Sequence, residues 1–122
     1  MDDPHNDALW IAHVIFMTQM FGAWYLVYQA FHTMMSPGVT LKERKRCEQF
    51  VYEACWAVDR LDPPFVYDEL YHNLYVTFAR VCMWSGGSLE SVSADLMEDL
   101  QIVGVNLKKQ LRLLGLDDHT YI

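Results

Sequence analysis

Residues 8–41 contain no Asp, Glu, Lys or Arg, and apolar side chains occupy most helical positions from Ala8 to Phe31. A helix with apolar residues on every side needs cover on more than one face. Asn6 or Asp7 can cap its start, and it should run to about Met34. There Ser36-Pro37-Gly38 stops it, because proline cannot continue the ladder and glycine accepts left-handed backbone. Thr40-Leu41-Lys42-Glu43 has the spacing of a capping box and predicts a second helix ending near Leu61. Asp62-Pro63-Pro64 breaks that helix and begins a third. Val66, Leu70, Leu74, Phe78 and Val81 then form one apolar stripe. In the last region Leu89, Val92, Leu96, Leu100, Val103, Leu107, Leu111 and Leu114 recur at spacings of three or four. Its acids come early (Asp95, Glu98, Asp99) and its bases late (Lys108, Lys109, Arg112), which complements the helix dipole. Gly115 is its natural stop. No strand-like alternation persists. The pattern predicts an all-α protein, a compact helical bundle.

Size and charge narrow this further. A chain of 122 residues, 52% apolar and 14% aromatic, suits a single domain over residues 1–122 with apolar surface to spare. Its formal charge of −7 argues against a nucleic-acid partner, which would require clustered cations. The one basic run, Lys42 to Arg46, is interrupted by Glu43 and reads as a solvated helix face. Residues 8–31 are long enough to span a bilayer. His13, Thr18, Gln19, Gln29 and His32 interrupt them, and no flanking positive charge would orient them. We read this helix as covered by the fold or by a second copy of the chain, not as an integral membrane span.

Chemical motifs are scarce. Cys47, Cys55 and Cys82 are an odd set without a C-x-x-C pair, and Cys47 and Cys55 lie eight apart on one expected helix. Reduced thiols in a cytosolic protein fit best, and the acidic Met1-Asp2-Asp3-Pro4 is unlike the start of a secretory signal. The five histidines, His5, His13, His32, His72 and His119, lack the spacing of metal ligands. Asp68 and Glu69 are adjacent and point to different helix faces, so they do not make a catalytic pair. No phosphate loop or nucleophile elbow occurs. The expectation is a non-enzyme with no metal and no cofactor.

Residues 66–122 nevertheless carry a pattern. "VYDELYHNL" is similar to the helix that precedes the first homology motif of the Bcl-2 family of apoptosis regulators, of the form V-x-E-E-L-F-x-D. "FARVCMWSGGSLESV" resembles the motif itself, N-W-G-R-I-V-A-F-F-x-F-G-G followed by E-S-V, and "LMEDLQIVGVNLKKQL" resembles the next amphipathic helix. Thr77-Phe78-Ala79 stands where the family has Asn-Trp-Gly, and two residues are missing between Arg80 and Gly86-Gly87. The second homology motif is reduced to Thr120-Tyr121-Ile122, and no C-terminal anchor follows. Such reduction suits virus-encoded members.

The resemblance implies a central hydrophobic helix, with Gly86 and Gly87 on it. From local signals alone, the same glycines read as a turn between helices. It also implies an anti-apoptotic protein of the host cytoplasm or the mitochondrial surface that blocks mitochondrial permeabilisation. Its ligand would be the amphipathic death-inducing helix of pro-apoptotic host proteins. The implied groove is Val66, Leu70, Tyr71, Leu74, Phe78, Arg80 and Val81, with Arg80 pairing an aspartate of the incoming helix.

An alternative is a self-assembling helical viral structural protein, a capsid or scaffold subunit. "MWSGGSLES" and "GVNLKKQLRLL" also resemble hepadnavirus-type core proteins, with poorer order and spacing. In either case the apolar first helix predicts a homodimer.

Overall fold

The computed structural model describes residues 4–84 and 90–116. Four helices account for most of them: α1 (Pro4–Met34), α2 (Leu41–Asp59), α3 (Asp68–Trp84) and α4 (Glu90–Leu113), with a 3-10 turn at Phe65–Tyr67 before α3. Their ends follow local chemistry. The Ser36 hydroxyl donates to the His32 carbonyl at the end of α1, and Gly38 turns the chain with φ +80°. Thr40 is the N-cap of α2 and accepts from the Glu43 N–H at 3.1 Å. α4 closes in a Schellman motif: Leu116 N–H reaches Leu111 C=O, Gly115 N–H reaches Arg112 C=O, and Gly115 takes φ +84°.

Each helix packs against its sequence neighbours, and α1 completes the ring by packing on α4, with a smaller contact to α3 across the middle. His13 meets Tyr67 near one end of the bundle, and Phe31 meets Trp84 near the other. α3 therefore runs parallel to α1, with α2 and α4 antiparallel to both. The core is one cluster in which Met17, Met20 and Phe31 of α1 join Val51 and Val58 of α2, Leu74, Phe78 and Val81 of α3, and Leu100, Leu107 and Leu111 of α4.

A glycine settles the α1–α4 contact. Trp24 of α1 lies against Gly104, where a Cβ would collide with the indole ring, and its N–H donates to the Leu100 carbonyl at 2.7 Å. Glycine in a helix interior costs about 1 kcal/mol relative to alanine. Here that cost creates a notch for the largest side chain and a partner for its only polar atom.

The all-α bundle expected from the pattern is the observed architecture. Its arrangement differs from the central helix that the resemblance implies. Every helix keeps an exposed face: Ile15 and Leu26 on α1, Phe50 and Trp56 on α2, Val76 and Met83 on α3, Ile102 and Val105 on α4. None is wrapped by the other three. α1, the most apolar, is a wall of the ring, and α3, which carries Arg80, is another. Gly86, Gly87 and Thr120–Ile122 lie outside the described residues, as does Leu89 of the final stripe.

Candidate functional site

The seven residues of the implied groove are brought near one another along α3 but do not line one open trough. Leu74, Phe78 and Val81 are fully enclosed in the core, as their stripe requires. Val66 is 69% exposed, because it sits in the 3-10 turn before α3 and Tyr67 takes the inward place. Leu70 and Tyr71 are half-buried against the core. Tyr71 acts as a clamp: its hydroxyl donates at 2.7 Å to the Val58 C=O in the last turn of α2, which also accepts from the Leu61 N–H. Burial first, with the Asp59 and Tyr75 charges adding to it, pushes the Tyr71 phenol up.

Arg80 points outward to α4, where its guanidinium donates to the Asp99 carboxylate. Both side chains are well exposed, at 46% and 37%, so this is a surface ion pair of about 0–1 kcal/mol. The acid that the resemblance would place on a ligand helix is supplied here by the chain itself.

Open apolar surface lies elsewhere. Between α1 and α2 a trough of about 400 Å³ is floored by Gly22, Ala23, Ala54 and Ala57 and walled by Leu26, Phe50 and Leu61. Small residues on both helices keep it open. A Cβ at Gly22 would meet no heavy atom within 4 Å, so no packing within the chain requires glycine there. A second trough of about 400 Å³ runs between α1 and α4, past Tyr25, Gln29 and Val105. Beyond the troughs, Leu9, Trp10, Ile11 and Ile15 on the first turns of α1 are each about half exposed. α1 is also long and apolar enough over Ala8–Met34 to cross a membrane, by length and composition, with one third of its most apolar stretch buried in the bundle.

Between α2 and α3 the structure assembles a pair that the sequence did not reveal. Cys55 and Cys82 place their sulfurs 3.2 Å apart. Tyr75, one helical turn from Ala79 on the same seam, is held up in pKa first by its hydrogen bond to the Asp59 carboxylate. No local spacing links residues 27 apart on two helices, so only the packing brings the sulfurs together. Among the described residues, no three His, Cys, Asp or Glu side chains converge as metal ligands would. No family model, no curated protein and no solved structure matches this chain.

Proposed function

We propose that the chain is a self-associating helical structural subunit of the capsid or scaffold type, acting by binding copies of itself rather than by catalysis. The observation that carries this reading is the outer face of α1. Ile11, Ile15, Gln19, Gly22 and Leu26 are all exposed on it, within a stretch free of Asp, Glu, Lys and Arg. In a chain of charge −7, two copies meet there without opposing like charges. Further apolar residues face outward on the other helices, Tyr52 and Trp56 on α2 and Ile102 and Val105 on α4. A single closed dimer leaves several of these uncovered, whereas an assembly with more than one contact covers them.

Light scattering and sedimentation across a concentration series test this. The expected result is a dimer or larger particles, reduced in size by Ile15→Lys with Leu26→Lys. A wild-type chain that stays monomeric at about 100 μM, well above the Kd of a stable interface, overturns it.

Helix capture is the second reading, favoured by the α1–α2 trough. Anchors at i, i+4 and i+7 span about 10 Å of helix, and the trough extends along α1 from Gln19 to Leu26, a comparable distance. With the Bcl-2 resemblance, the occupant would be the death-inducing helix of a pro-apoptotic host protein, bound in the host cytoplasm. Titration with a panel of such peptides tests it. Saturable binding lost in Gly22→Leu places the ligand in the trough, and binding lost in Arg80→Ala places it on α3. No binding by any peptide removes the reading.

A further inference from the structure

Cys55 and Cys82 are free thiols facing each other across the α2–α3 seam, 3.2 Å apart. Both are half-buried and line an open surface cavity of about 300 Å³, with Trp56 and Asp59 at its sides. A molecule little larger than water has room to reach the sulfurs there. The third cysteine, Cys47, is buried two turns earlier on α2, about 12 Å away along the helix axis. One pair is therefore arranged for two-sulfur chemistry and one thiol is kept apart from it.

We propose that Cys55 and Cys82 form a reversible oxidation site, at which hydrogen peroxide converts the facing thiols into a disulfide that staples α2 to α3. The Cys82 sulfur, as thiolate, attacks one peroxide oxygen. The O–O bond breaks, Cys82 becomes a sulfenic acid, and the departing hydroxide takes up the thiol proton as water. The Cys55 sulfur then attacks the Cys82 sulfur, the S–O bond breaks, and the hydroxyl leaves as a second water with the Cys55 proton. Two thiols and one peroxide give one disulfide and two waters. The two electrons come from sulfur and end on the peroxide oxygens, and a dithiol reductant reverses the change.

The division of labour follows from the contact. The contact between the two sulfurs, in which either can donate, holds the Cys82 thiol below its ordinary range, against the opposing effect of burial. The same contact, then burial, pushes Cys55 up. These directions favour Cys82 as the attacking sulfur and Cys55 as the resolving one, and the same disulfide forms whichever attacks first. The site does not depend on self-association, because both sulfurs belong to one chain.

The test uses the full reduced chain exposed to equimolar hydrogen peroxide, followed by thiol counting and non-reducing peptide mapping. Two of the three thiols should disappear, a Cys55–Cys82 linked peptide should form within one chain, and dithiothreitol should remove the link and restore both thiols. The thermal midpoint of the oxidised form should rise by more than about 5 °C, because the link closes a long loop in the unfolded chain. Cys47→Ser should leave the reaction unchanged, and Cys55→Ser should stop it at a sulfenic acid on Cys82 that dimedone traps. Equal loss of all three thiols, bridges between chains, or sulfinic acid on Cys82 without a link overturns the proposal. The wild-type map decides the matter even if a serine variant fails to fold.

Discussion

α1 and α4 pack against each other and bury similar periodic sets, Met17, Met20, Phe21, Trp24 and Val27 against Leu96, Leu100, Val103, Leu107 and Leu111. They differ in what they turn outward. α4 exposes Asp95, Glu98, Lys109 and Arg112, so its sequence states which face is inside and which is outside. α1 exposes Ile11, Ile15 and Leu26, so its inward face is chosen by shape while its outward face remains apolar. A strongly patterned helix has its inward face specified by one copy of the chain, even though Ile102 and Val105 of α4 also face outward. A uniformly apolar one is only half specified by it.

The largest effect that would test this contrast is a cavity in the shared core. Leu107→Ala should cost about 2–5 kcal/mol in urea unfolding, as a fully enclosed leucine requires. Gly104 and Gly22 should then respond with opposite signs. Gly104→Ala should lose about 1–3 kcal/mol because its methyl meets the Trp24 ring, whereas Gly22→Ala should gain about 0.5–1 kcal/mol in the same measurement. If Gly22→Ala is also destabilising in the monomer, the open floor of the α1–α2 trough is misread. Ile15→Lys should change monomer stability by no more than about 0.5 kcal/mol while weakening association, read by denaturation and sedimentation together. Smallest of all, Arg80→Ala should cost less than about 1 kcal/mol, a difference that shrinks further in high salt.

The helix ends were legible because their causes are local: the Thr40 cap, the Ser36-Pro37-Gly38 stop and Gly115 each act within a few residues. The α4 stripe was legible because its polar face gives contrast. For α1 there was no contrast, and nothing in its composition says that Trp24 faces Gly104 or that Leu26 faces out. In the third region the stripe correctly marked Leu74, Phe78 and Val81 as inward, which is why those residues do not form an open groove. Val66 departs from it because the chain is still in a tighter turn there, before α3 begins. The partner of Arg80 was hidden for a different reason. Asp99 sits on another helix, and its distance from Arg80 is set by how α3 and α4 align. The thiol pair was hidden in the same way by the alignment of α2 with α3.

The Trp24–Gly104 fit carries one more consequence. Moving α1 by a single turn along its neighbour would slide the indole out of its notch, strand its N–H and drive a bulkier ridge against the ring. That helix is thus pinned lengthwise by one inward residue, much as a key seats at one depth. Its outer surface is free to be recut for different neighbours without the bundle losing its alignment.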